Sequence, residues 1–120
     1  MKYILLMVVD EGSWENLTPD QMQPMIDEME RYNDQLRGAG ARVSGEGLDF
    51  SRSAKTVRVS DGRRSVIDGP AMESQEQVGG FWIIEADSMN AAVDWARKVP
   101  MTNGSVEVRS LVPEDGGQEA

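Results

Sequence analysis

Apolar and polar positions change their period several times along the chain, and each change marks an element. Residues 3–9 (YILLMVV) are apolar without a break, the pattern of a strand covered on both faces. Residues 10–17 form a polar loop around Gly12 and Trp14. Thr18-Pro19-Asp20-Gln21 has the chemistry of a helix start. Thr18 caps, Pro19 suits the first helical position, Asp20 favours the positive end of the dipole and Gln21 closes a capping box. Met22, Met25, Ile26, Met29, Tyr32 or Asn33, and Leu36 follow at steps of three and four. They form one apolar stripe along a helix that Gly38 and Gly40 end.

Period two then returns. Residues 42–49, interrupted by Gly45 and Gly47, predict a short or bulged strand. Val57 and Val59 alternate with Thr56 and Arg58 over residues 55–60, and Asp61-Gly62 turns the chain back through 64–67 as a hairpin. Asp68-Gly69-Pro70 makes a second turn before the polar stretch 72–77, and Gly79-Gly80 leads into a strand at 81–86 (FWIIEA). Ser88 or Asp87 caps a second helix with Met89, Ala92, Val93 and Ala96 on one face, which Pro100 stops. Val106 and Val108 alternate with Glu107 and Arg109 in a last strand. From Pro113 onward the chain (PEDGGQEA) is acidic and glycine-rich, so one domain over 1–112 with a flexible tail over 113–120 is expected.

This order predicts an α+β fold of the ferredoxin-like (split βαβ) kind, an antiparallel sheet with two helices on one face. Nothing in one copy would cover the other face. A homodimer packed sheet against sheet, a dimeric α/β-barrel-type association, is therefore expected.

Composition narrows the chemistry. The 120 residues carry 12 Lys and Arg against 21 Asp and Glu, a net charge of -9, which argues against nucleic acid as a partner. There is no cysteine and no histidine, so thiol nucleophiles, imidazole bases and thiolate or imidazole metal sites are excluded, and neither a metal nor a cofactor is expected. The opening apolar run is followed at once by Asp10-Glu11 and is far shorter than the roughly 20 residues of a membrane helix, so a soluble cytoplasmic chain is expected.

The stretch from Asp68-Gly69-Pro70-Ala71-Met72-Glu73 through Gly79-Gly80-Phe81-Trp82 resembles the signature of the DGPF-domain proteins in the YCII-related superfamily. Met1-Lys2-Tyr3, Gly45-Glu46-Gly47-Leu48, Ala96-Arg97-Lys98-Val99-Pro100 and Gly104-Ser105-Val106-Glu107-Val108-Arg109 agree with it in order. The resemblance implies a ferredoxin-like homodimer and a setting near sigma-factor regulation, without a defined activity. Two positions depart from the pattern. Ala71 stands where DGPF has Phe, and the helix position where distant YCII relatives carry a His, paired there with an Asp, falls near Met29. A thioether cannot accept that proton, while the resemblance puts Asp68 where the partner carboxylate would stand.

Several side chains are candidates for chemistry. Asp68 and Glu73, five apart across a Gly-Pro turn with Glu76 close by, can serve as general acid and base if they share a cleft. Asp68 can equally bond its own turn, and Glu76 can be a solvated end. Gly79-Gly80 admits either a ligand against the backbone or a bulge. The Met22/Met25/Met29 stripe fits an adaptable pocket or ordinary core, and Trp14 is the better aromatic wall. Arg52, Lys55, Arg58, Arg63 and Arg64 make the hairpin basic, either an anion-attracting surface or a solvated edge. The ligand-contacting set expected is Trp14, Met29, Tyr32, Asp68, Gly69, Pro70, Glu73 and Gly80, for a small anionic or aromatic ligand. A non-catalytic ligand-binding or protein-interaction module is the leading expectation. An enzyme on a small organic substrate, with Asp68 or Glu73 as general acid or base, is the alternative.

Overall fold

The computed structural model describes residues 1–114. In chain order the elements are β1 (Lys2–Asp10), α1 (Pro19–Gly38), β2 (Arg42–Gly47), β3 (Lys55–Ser60), β4 (Arg63–Asp68), β5 (Glu76–Glu85), α2 (Met89–Ala96) and β6 (Ser105–Ser110), with single 3-10 turns at Glu11–Ser13 and Ser51–Ser53. The fold is α+β. Four strands make an antiparallel sheet in the order β2-β5-β1-β6, and β3 and β4 form a separate two-stranded sheet.

Local chemistry places the helices where the spacing predicts. Thr18 Oγ1 accepts from the Gln21 amide at 3.2 Å, while the Thr18 amide donates to Gln21 Oε1 at 2.9 Å, so two orphan donors of α1 are satisfied reciprocally. Ser88 caps α2 by accepting from the Ala91 amide at 3.1 Å. The helix then ends at Ala96, four residues before Pro100, because the chain tightens into a turn in which the Lys98 and Val99 amides donate to the Trp95 and Ala96 carbonyls. On the outer face of α1 the Gln23 side-chain amide donates to Asp27 at 2.8 Å and Arg37 pairs with Asp34 at 3.2 Å.

The core lies between the sheet and both helices. Tyr3, Leu5, Met7 and Val9 of β1 alternate inward and pack with Trp82 and Ile84 of β5, Tyr32 and Leu36 of α1, Ala92 of α2 and Val99. Tyr32 ties the two helices to one face of the sheet. Its ring meets Trp82 edge-on at 5.1 Å, and its hydroxyl donates to the Trp95 carbonyl at 2.7 Å. Ile4, Leu6 and Val8 alternate to the opposite face, paired there with Ile83 and Phe81 of β5, and no element of the described residues packs over them.

β5 corrects the expected strand at 81–86. It begins at Glu76 and runs through the diglycine, because Gly79 is an extra residue between Gly80, opposite Met7, and Val78, opposite Val8. This bulge lets the ladder to β1 continue to Asp10 and Glu76. β2 is bulged at Val43 rather than at its glycines. The Asp61-Gly62 hairpin has both residues at positive φ, 48° and 78°, the primed turn that Asp-Gly predicts. The expected tail from 113 lies, from residue 115, outside the described residues. Among the described residues no helix is long and apolar enough to cross a membrane.

Candidate functional site

A cavity of about 490 Å³ opens between α1 and the β2–β5 seam. Met22, Met25, Ile26 and Met29 form its helical wall, and Gly45, Gly47, Gly79 and Gly80 lie beneath on the strands. The seam is built for side chains that are absent. A Cβ on Gly45 would stand 2.8 Å from Trp82 Cδ1, one on Gly80 3.1 Å from the Glu46 carbonyl, and one on Gly79 3.0 Å from Val9 Cγ2. Glycine therefore keeps the floor open and lets Trp82 lie flat against β2. The unbranched thioethers above it are the most adaptable apolar wall available to a chain without cysteine.

Trp14 enters the cavity from the loop after β1. Asp10 Oδ1 accepts from the Gly12 amide at 3.0 Å and the Trp14 amide donates to the Glu11 carbonyl at 3.0 Å, so a short capped turn holds the indole in place. The polar lining consists of Glu30, Asn33, Arg42 and Glu46. Asn33 Oδ1 accepts from Trp82 Nε1 at 2.8 Å and from Arg42 Nε at 3.4 Å, which orients its amide unambiguously. Arg42 also donates through one terminal nitrogen to the Gly45 carbonyl at 3.1 Å. Its guanidinium forms no ion pair among the described residues, so donors of a fixed cation remain for a ligand.

Of the residues expected to contact a ligand, Trp14, Met29 and Gly80 line this cavity. Tyr32 stands behind it, 2% exposed, backing Trp82. Burial pushes its phenol well above the ordinary tyrosine value, so it is neutral at all physiological pH. Asp68, Gly69, Pro70 and Glu73 do not line the cavity. Asp68 ends β4 with its carboxylate 2.5 Å from Lys55 Nζ and its side chain 86% exposed, so it bonds across the hairpin rather than to its own turn. Gly69, at φ 99°, closes the hairpin base through its amide to the Ala54 carbonyl and its carbonyl to Thr56 Oγ1, each 2.8 Å. Glu73 is exposed in the following loop, and Glu76 borders a separate groove with Asp10 and Glu28. The carboxylates expected to act, Asp68 and Glu73, thus lie apart from the apolar walls, and Glu30 and Glu46 are the carboxylates that border the cavity. No group of His, Cys, Asp or Glu among the described residues is placed to hold a metal ion.

Asn33, Arg42 and Trp82 were not among the expected ligand contacts. Asn33 did carry a signal, a polar residue four positions after Met29 on the inward stripe, where it needs a buried partner.

An antiparallel sheet carrying two helices on one face, with a cavity between α1 and its bulged seam, defines the class of domain. The chain belongs to the YCII-related domain family, whose pattern it matches over residues 1–115. It is also 44% identical over 62 residues to an uncharacterized protein of Rhizobium meliloti (strain 1021), a stretch covering 49% of this chain and 50% of that one. The chain thus spans about half the length of that curated relative.

Proposed function

We propose that this YCII-related protein is a small-ligand-binding module of the DGPF type, ferredoxin-like in connectivity, homodimeric through its open sheet face and non-catalytic. The observation that carries the reading is the cavity between α1 and the β2–β5 seam. It joins thioether and indole walls to a cation with donors to spare. A flat apolar body with one anionic group fits that chemistry, the body against Met25, Met29 and Trp14 and the anion at Arg42. The strand order supports the ferredoxin-like assignment, and the half-buried apolar stripe of Ile4, Leu6, Phe81 and Ile83 supports association through the sheet. A regulatory role in the cytoplasm, near sigma-factor control, is the setting the DGPF resemblance implies.

The enzyme reading needs a proton carrier beside the bound molecule. Asp68 and Glu73 stand outside the cavity of their own chain, and this favours binding without turnover. Titration with 1-anilinonaphthalene-8-sulfonate, an apolar fluorophore with one anionic group, tests the proposal. Saturable binding is expected, weakened at least tenfold by Arg42→Met and abolished by Met25→Trp, which fills the space. Binding that ignores both substitutions would reject the cavity as the site.

A further inference from the structure

The β3–β4 hairpin is folded as if part of its environment were missing. Every residue of β4 is exposed, and in β3 only Thr56 is partly covered. Among the described residues neither strand packs substantially on the four-stranded sheet or on a helix. Two strands alone are marginal in water, yet this pair keeps an unbroken six-residue register. The hairpin also extends the molecule, whose radius of gyration is 16.4 Å where a compact chain of this length has about 13–14 Å. Its base is nonetheless held. The Ser51 amide donates to Glu11 Oε2 at 2.8 Å, the Ser51 hydroxyl donates to the same carboxylate, and Arg52 pairs with Glu15 at 2.6 Å.

One face of the hairpin is apolar where it is most exposed. Val57 lies opposite Val66 and Val59 opposite Arg64, and the three valines are 58%, 67% and 55% exposed. The cations are concentrated here as well. Residues 52–68 hold Arg52, Lys55, Arg58, Arg63 and Arg64 against Asp61 and Asp68, a net charge of +3. The whole chain carries -9, so the remainder carries -12. The surface best matched to this basic, valine-bearing arm is the acidic body of the same protein.

We infer that the hairpin is an intersubunit arm that docks on a second copy of this chain, adding to the sheet-face association proposed above and separable from it. The tethered base aims the arm, and the second copy supplies the apolar cover and the acidic complement that its own body does not reach.

Sedimentation of the full chain over a concentration series tests this, using Arg58→Glu/Arg63→Glu/Arg64→Glu and, separately, Val57→Ser/Val66→Ser. These residues are exposed, so circular dichroism should show the fold intact. Each variant is expected to raise the dimer dissociation constant at least tenfold, and raising salt from about 0.05 to 0.5 M should weaken the wild type but not the charge-reversed variant. Leu6→Glu on the sheet face should weaken association in its own right, and arm variants that associate as tightly as wild type while Leu6→Glu does not would leave the sheet dimer standing and overturn the arm. The chain has no cysteine, so a spin label at Ser65→Cys is unique. In mixtures with unlabelled, isotope-enriched copies it should broaden resonances of the enriched copy. Resonances of the enriched copy that stay sharp, a monomer at all concentrations, or hairpin resonances that respond only to an added polyanion such as heparin would each overturn the inference.

Discussion

The two sheets of this molecule stand at opposite extremes of burial. β1 and β5 alternate between a core face and an open face, and every inward side chain from Tyr3 to Val9 is buried. β3 alternates Val57 and Val59 with Thr56 and Arg58 and turns tightly through Asp61-Gly62 into β4, yet the pair buries almost nothing. Strand propensity and turn chemistry therefore shape a hairpin without anchoring it. What separates the two is the presence of a second layer, because apolar burial contributes about 25 cal/mol per Å² and an uncovered valine gains little of it.

The largest test of that contrast compares one residue from each side. Leu36 is 0% exposed between the helices and the sheet, and Leu36→Ala should lower the unfolding free energy by about 3 kcal/mol. Val66→Ala on the hairpin, measured by urea unfolding at a concentration that keeps the chain monomeric, should cost under about 0.5 kcal/mol. Similar losses at the two positions would erase the distinction. A second test stays within the main sheet. Gly45→Ala puts a methyl 2.8 Å from Trp82 Cδ1 and 3.0 Å from the Phe81 carbonyl. The indole must move, at a cost of about 2 kcal/mol, and Trp82 fluorescence should report the shift together with loss of fluorophore binding.

The same contrast explains what could be read from the residues alone. The capping box at Thr18 and the Asp61-Gly62 turn are local, so their physics is written in adjacent positions, whereas the unbroken apolar run of β1 predicts two covered faces and the structure buries one. The start of β5 was not legible. Whether the diglycine opens a strand or bulges within one depends on Met7 and Val8 of β1, about 70 residues away in sequence. The cavity has the same character. A methionine stripe at helical spacing is identical whether it meets a filled or an open seam, and only the glycines facing it from β2 and β5 decide. Asp68 and Glu73 were drawn together by nearness in sequence, but an exposed hairpin carries the first away from the walls that a ligand would use.

Tyr32 gives a smaller, pH-dependent test of the buried side. Removing its hydroxyl deletes one of two hydrogen bonds to the Trp95 carbonyl, which keeps the Lys98 amide, and Tyr32→Phe should cost about 1 kcal/mol at neutral pH. The sign of the alkaline effect follows from the raised folded pKa. In the unfolded chain the phenol releases its proton near pH 10, while in the folded chain it keeps it, so above that point the unfolded state binds fewer protons. The contribution is complete below about pH 10 and falls as pH rises beyond it, by up to about 1.4 kcal/mol per pH unit. Unfolding free energy measured between about pH 9 and 11 should therefore drop more steeply for wild type than for Tyr32→Phe. Parallel curves would mean that the phenol is reached by water.

The smallest effect belongs to the hairpin and concerns the residue with most claim to chemistry. Asp68 and Lys55 face each other at 2.5 Å, but both side chains are largely exposed, 86% and 68%. Exposed ion pairs contribute little, because water screens them and two long side chains must be held still. Asp68→Asn should change stability by less than about 0.5 kcal/mol and leave fluorophore affinity at the cavity unaltered. Gly69→Ala one position later is the sharper perturbation of the same turn, since a φ of 99° strains any side chain there. If the conservative change at Asp68 abolished ligand affinity while the strained change at Gly69 spared it, the carboxylate would have to reach a bound molecule from a second subunit, and the hairpin would then belong to the site rather than stand apart from it.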